Sequence, residues 1–315
     1  MVAEVMEALQ LQSGQTFADG TTGSGGHTLV LGRQVGPTGV VVGVDRDPAM
    51  LAIGAKRIQE AFGDDGPRVV LEVASYETLP DVLGRAGLLP LNGGILLDLG
   101  MNSLQLEDAE RGFAFSKDGP LDGRFNAKEG GKSMGELVNT ATEGELRGWL
   151  RDLADERLSV QIARRIVAAR ARSPITTTTE LAELVRGAYP AASRHTGIHP
   201  ATRTFQALRM VANDEANVIR RGLEACVACL APGSRLASIS FHSGEDRIIK
   251  QFFAEKTGPR PDPGNPFRAT TTEGLEFELP YRKAIACSDA EAARNPRARS
   301  AKLRVIQRRK EGAGT

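Results

Sequence analysis

Asp19-Gly-Thr-Thr-Gly-Ser-Gly-Gly-His27, followed by a β-branched run that ends in Val44-Asp45-Arg46-Asp47, decides the fold. A glycine-rich turn after a strand lets backbone approach a ligand closely, and an acid at the tip of the next strand can grip a ribose diol. The two together predict a nucleotide-type cofactor site. Outward from the turn, residues 40–44 read as a buried central strand and residues 94–98 as another that ends in a carboxylate. Residues 48–62 between them have helical spacing, with Pro48 in the first turn. Residues 236–241 supply a further strand with His242 at its tip. Ligands of open α/β sheets sit beyond the carboxyl ends of the strands, so Asp45, Asp98 and His242 are expected to converge on one crevice.

The bulk properties agree with such a fold. The chain has 315 residues, 41% hydrophobic and 25% charged, enough for a large α/β domain with a second, smaller one. No apolar run approaches the roughly 20 residues of a membrane span. The N-terminus is acidic and helix-like, unlike a secretory signal or a transit peptide, and three irregularly spaced cysteines point to a reducing compartment. The expected location is the cytoplasm, with a mitochondrial or plastid matrix as the alternative if a leader has been removed. Cys226-x-x-Cys229 lies within a helical stretch and has no second pair, so no metal site is expected.

Net charge is +1, from 40 basic and 39 acidic residues, yet two stretches are locally basic. One runs through Arg151, Arg157, Arg164, Arg165, Arg170 and Arg172, the other through Arg294, Arg297, Arg299, Lys302, Arg304, Arg308, Arg309 and Lys310. Each is either a phosphate-collecting patch or a solvated face.

After Asp98 the pattern changes. Residues 100–131 read as a long ordered loop, and residues 133–189 as all helical, with capping boxes at Thr142/Glu145 and Thr177/Glu180. Residues 204–230 carry one apolar stripe and predict a single long amphipathic helix. The expected organisation is a discontinuous α/β domain, residues 1–105 and 204–315, with an inserted loop and helical domain over residues 106–203.

A dinucleotide fingerprint requires G-x-G-x-x-G, and here Gly23-x-Gly25 is followed by Thr28 in place of the third glycine. That favours S-adenosylmethionine (AdoMet), which has no pyrophosphate, over a nicotinamide dinucleotide. His27 by itself reads equally well as a ligand contact or a helix-start residue.

Ten strings in order carry a more specific resemblance. Among them are Asp19 to His27, Asp45-Arg-Asp-Pro48, Leu97-Asp-Leu-Gly100, Gln105-Leu-Glu-Asp108, Arg111-Gly-Phe-Ala-Phe115, His199-Pro-Ala-Thr-Arg203, Ser240-Phe-His-Ser243 and Asn295-Pro-Arg-Ala-Arg-Ser300. Together they resemble the RsmH (MraW) family of small-subunit ribosomal RNA methyltransferases, which make N4-methylcytidine from AdoMet. The resemblance implies a Rossmann-like class I AdoMet-dependent methyltransferase with an inserted helical domain for RNA recognition. It implies cofactor contacts from Gly25, Gly26, His27, Asp45, Tyr76, Asp98 and Gln105, with Tyr76 where relatives usually have Phe. The implied partner is small-subunit rRNA or the assembled small subunit, with a homodimer as a candidate assembly.

Several strings depart from the family pattern. The chain begins inside the family's first helix, so a truncated N-terminus is one expectation. Asn102-Ser-Leu-Gln105 replaces a usual Ser-Ser-Pro-Gln, and Leu121-Asp-Gly-Arg-Phe-Asn126 replaces Leu-Asp-Met-Arg-Met-Asp. These changes fall on the loop expected to hold substrate. Candidate acceptors for the N4 proton are Asn102, Ser103 and His242, the last equally readable as a structural residue at a strand end. Arg111, Arg124, His199 and Arg203 are the candidate RNA contacts. Phe113 and Phe125 would either stack on an extruded base or pack the loop.

Overall fold

A computed structural model describes residues 1–191, 199–258 and 275–310. Residues 259–274, inside a stretch for which the sequence predicts no element, lie outside the described residues. Cα proximity separates the chain into two compact units, Met1–Gly100 with Asn217–Thr315, and Met101–Ala216.

The first unit is built on an eight-stranded sheet among the described residues, ordered β3-β2-β1-β4-β5-β8-β6, with β7 also paired to β8. The strands are β1 (Thr16–Asp19), β2 (Val40–Asp45), β3 (Arg68–Val73), β4 (Gly94–Asp98), β5 (Arg235–Ser240), β6 (Phe277–Glu278), β7 (Ile285–Ala286) and β8 (Lys302–Arg308). Strands β1 to β5 pair in parallel, while β8 runs antiparallel to β5, β6 and β7. This is the doubly wound Rossmann-like order, with β1 and β4 flanking the point where strand order reverses.

Strand periodicity distributes the core. Ala18, Val42, Val44, Ile95 and Leu97 face one way and pack on α4 (Leu79–Arg85), α11 (Glu215–Cys229) and α12 (Ser243–Thr257). Phe17, Val41, Leu96 and Ala237 face the other way and pack on α1 (Val2–Leu9) and α2 (Gly26–Val35). Both faces are covered, which is why these strands read as continuous apolar runs. Helix α3 (Pro48–Phe62) is capped by Asp47, whose side chain accepts from the N–H groups of Ala49 and Met50.

The second unit is helical, with α5 (Ser103–Glu107), α6 (Met134–Thr140), α7 (Glu143–Ala154), α8 (Ser159–Arg170), α9 (Thr178–Ala188) and α10 (Thr202–Ala212). The Thr142/Glu145 box forms in full. At α9 Thr177 caps the Glu180 N–H, but Glu180 returns to the N–H of Thr176 rather than to Thr177. The last helix of the first unit is α13 (Asp289–Arg294). No helix among the described residues is long and apolar enough to cross a membrane.

The single helix expected over 204–230 is two helices. Between α10 and α11 the Asn213 carboxamide donates to the carbonyls of Arg209 and Gly123 and accepts the Phe125 N–H, and Asp214 takes the left-handed conformation at φ 51°. Side-chain bonds of this kind compete with the helical ladder. The apolar stripe crosses the break because each half buries its face in a different core. Phe205, Ala207 and Leu208 join the inserted helices, whereas Ile219, Leu223 and Val227 join the sheet. Residues from 204 to the break, read from sequence as α/β, therefore pack with the insertion.

Candidate cofactor site and substrate-loop residues

The glycine-rich turn leaves β1 and enters α2. Gly23 and Gly25 hold φ of 50° and 82°, a region that disfavours any other residue. The turn also sits hard against α3, where a Cβ at Gly54 would lie 2.5 Å from the Gly23 carbonyl oxygen. Above Gly26 the space is open, with no heavy atom within 4 Å of a built Cβ. Close packing thus explains Gly54, while Gly26 borders room for a ligand.

Asp45 ends β2 as expected, and its carboxylate is already engaged. One oxygen accepts the Gly23 N–H at 2.7 Å and the other the Asp47 N–H at 2.8 Å. It thereby ties the turn to the tip of β2. Burial pushes its pKa up to about 6, helped by the charges of Asp47 and Asp19 and opposed by the two backbone bonds. A carboxylate has about four lone-pair sites, so two remain for a diol.

A half-buried pair comes from two other elements. His27, on the first turn of α2, places Nδ1 3.2 Å from Oδ2 of Asp98 at the tip of β4. Burial opposes charge on the imidazole, but the hydrogen bond and charge of Asp98, with Asp19 behind, raise its pKa above that of a free histidine. Among the described residues, His27 Nε2 and Asp98 Oδ1 are buried and lack hydrogen-bond partners. With the imidazole protonated, this leaves one donor and one acceptor, which fit a ligand that carries both kinds of group.

Three residues to which the sequence reading gives no part in the site, Asp19, Thr21 and Thr28, brace this pair. Asp19, 1% exposed, accepts from the Thr28 hydroxyl at 2.6 Å and from the Thr21 N–H and hydroxyl. The Thr21 hydroxyl in turn accepts the Asp98 N–H at 2.7 Å. Burial raises the Asp19 pKa. Thr28 thus fills the place of a third fingerprint glycine with a buried hydroxyl-carboxylate bond, a physical reason for the missing glycine. The signal for Asp19 was an acid at the end of a fully buried strand.

Tyr76 is 8% exposed and lies in the sheet core, its ring against Gly222 of α11, where a Cβ would overlap it. His242 caps α12 by accepting the Glu245 N–H at Nδ1, 3.3 Å away, while Nε2 lies 3.0 Å from the Glu245 carboxylate. The cap thus engages Nδ1, while Nε2 is buried and makes no hydrogen bond among the described residues. Cys226 and Cys229 are buried in the core, and burial raises both thiols, Cys229 to about 11.

In the second unit, Asn102 and Gln105 form a reciprocal capping box on α5, and Gln105 is 5% exposed. Ser103 is exposed at the start of that helix. Arg111 donates to the carbonyls of Arg124 and Phe125 and lies over the Phe113 ring. Arg124 forms a bidentate pair with Asp122 and donates to the Gly131 carbonyl. Phe113 and Phe125 are 5.4 Å apart. Arg111 and Arg124 thus hold the loop's own backbone. The His199 ring stacks on Phe115 at 4.6 Å and accepts the Ala201 N–H, and Arg203 is exposed on α10.

Comparison with known proteins agrees with this arrangement. Residues 1–309 match the model of the MraW methylase family. The chain is 42% identical over 309 residues to ribosomal RNA small subunit methyltransferase H of Heliobacterium modesticaldum, covering 98% of this chain and 97% of the relative. Proteins of the same name from Trichlorobacter lovleyi and Thioalkalivibrio sulfidiphilus are 42% and 43% identical, each over 98% of this chain and 96% of theirs. A family match over nearly the whole length, with full-length relatives above 40% identity, means that this chain belongs to the MraW methylase family.

Proposed function

We propose that this chain transfers a methyl group from AdoMet to the N4 amine of a cytidine in the decoding region of small-subunit ribosomal RNA, in the cytoplasm. The observation that carries the reading is the near full-length similarity to small-subunit rRNA methyltransferases. The half-buried His27–Asp98 pair at the start of α2 supports the cofactor. His27 Nε2 and Asp98 Oδ1 would take the charged amino-acid end, Asp45 the ribose diol, and Gly25 and Gly26 would border the ligand. Gln105 and the Tyr76 ring complete the proposed set.

When bound, AdoMet supplies an electrophilic sulfonium methyl. The N4 lone pair of cytosine is delocalised into its ring, so the protein's main contribution is to hold the amine in line. Such positioning is worth up to about 7–11 kcal/mol in favourable cases. The candidate acceptors for the N4 proton are Asn102, Ser103 and His242, the last with its Nδ1 already taken by the Glu245 N–H. The inserted unit, with His199 and Arg203, is the proposed RNA-recognition domain.

The activity test uses small subunits from cells lacking the gene, as assembled particles and as bare rRNA. Labelled methyl should appear on one cytidine as N4-methylcytidine; label on another base or position would overturn the target. The cofactor assignment has its own test in Gly26→Ala. A Cβ there meets nothing and alanine favours a helix's first turn, so the melting temperature should hold within about 2 °C. AdoMet affinity by calorimetry should nevertheless fall at least about tenfold, and unchanged affinity would remove the ligand from this turn.

A further inference from the structure

The two basic stretches fold differently. In the C-terminal one, Lys302 and Arg304 both pair with Asp246, Arg308 donates to the Leu230 carbonyl, and Arg294 pairs with Glu291. Lys302, Arg304 and Arg308 are thereby held at the sheet, while Arg294, Arg297 and Arg299 before it are exposed. The stretch around α8 does not fold back in this way. From Arg157 to Thr179 the chain contains five arginines and no acid. Helix α8 buries Ser159, Ile162, Ala163 and Ile166 and leaves Gln161, Arg164, Arg165 and Ala168 exposed on the opposite face. Arg157, in the turn before the helix, and Arg172, in the turn after it, are also exposed.

The bonds these side chains make leave most of their donors outward. Arg157 and Arg172 have no hydrogen bond or ion pair among the described residues. Arg164 faces Glu143 at 3.3 Å with both side chains well exposed, a pair worth under about 1 kcal/mol. Arg165 uses only Nε, on the Leu184 carbonyl. Arg170 turns away to the Val138 carbonyl and is not part of the face. Helix α8, with 12 residues, is about 18 Å long. All the cations are arginine, the side chain that binds phosphate bidentately and cannot lose its charge.

We propose that Arg157, Arg164, Arg165 and Arg172 form a phosphate-binding face along which the sugar-phosphate backbone of the substrate RNA lies, a contact that anchors the RNA without reading its bases. The proposal rests on the rRNA-substrate reading. It assigns α8 the sequence-independent share of RNA affinity.

The test is the double variant Arg157→Ala/Arg172→Ala, whose side chains support nothing else in the described structure. Binding to small subunits lacking the modification, and to their extracted rRNA, is measured across salt concentrations. Affinity should fall about tenfold or more, and the log–log salt slope should shrink by about 1.4–1.8, the loss of two phosphate contacts. Melting temperature and AdoMet affinity should stay at the wild-type values. The variant Lys56→Ala/Lys250→Ala removes the same net charge from exposed positions of the other unit and should retain affinity. An unchanged slope in the arginine variant, or an equal loss in the lysine variant, overturns the proposal. Wild-type methyl transfer is scored separately. Transfer with an unaltered arginine variant defeats this face alone, whereas no transfer with weakened RNA binding defeats the functional reading and leaves the face standing.

Discussion

Replacing Asp45 by alanine is expected to abolish measurable AdoMet binding by calorimetry. The carboxylate accepts the N–H groups of Gly23 and Asp47 and is the proposed partner of the ribose diol, so its loss frees the turn and removes the ligand's acceptor together. Hydrogen bonds to charged groups contribute about 1.5–3 kcal/mol each, so losing two from the ligand alone weakens binding by at least about 100-fold. Affinity within threefold of wild type would remove the ribose assignment. The turn and the ligand can be separated with Asp45→Asn, which keeps an acceptor for the Gly23 N–H but carries no charge.

The same residue gives the site a pH dependence. The folded pKa of Asp45 is about 6, above the ordinary value of 3.8, because burial penalises its charge. An acid raised in this way contributes stability that is present below about pH 4 and lost as pH rises through 6. At pH 7 its ionisation costs the empty protein about 3 kcal/mol. Hydroxyl donors from a diol favour the charged form, so ligand binding below pH 6 releases a proton. AdoMet affinity should therefore rise about tenfold between pH 5 and pH 7 and then level off. Asp45→Asn should flatten the profile over that range, and a profile that keeps its shape would move the titration to another group.

What could be read from the chain in advance follows from how local each signal is. The strand-turn-helix at 16–35 and the acids closing β2 and β4 were legible because glycine freedom and strand ends are written in adjacent residues. The Asp19–Thr21–Asp98 chain was not, since Thr21 meets the Asp98 N–H only through the pairing of β1 with β4, 77 positions away. The roles of Arg111 and Arg124 were hidden for a similar reason. An arginine in a loop looks the same in sequence whether it points at solvent or at the loop's own carbonyls, and here Arg111 reaches residues 13 and 14 positions on. The break at Asn213-Asp214 was masked by an apolar stripe that continues through it. Periodicity reports that a face is buried but not that two cores share the burying.

That break carries the largest expected stability effect. Arg209 and Glu215 form a bidentate pair across it, with contacts of 2.7 and 2.9 Å and side chains only 8% and 9% exposed. Two desolvated charges are tolerable together and costly apart, so Arg209→Ala should destabilise the inserted unit by about 3–5 kcal/mol. That is a large share of the roughly 5–15 kcal/mol that holds a domain folded. In scanning calorimetry the transition of this unit should move down by more than about 10 °C. Removing both charges together should behave differently. Arg209→Met with Glu215→Leu leaves no orphaned ion in the core, and the transition should return most of the way to wild type, as expected if the penalty lies in the unpaired carboxylate rather than in a lost attraction. Melting of Arg209→Ala at the wild-type temperature would show instead that Asn213, through its bonds to Gly123, Phe125 and Arg209, holds the break without the ion pair.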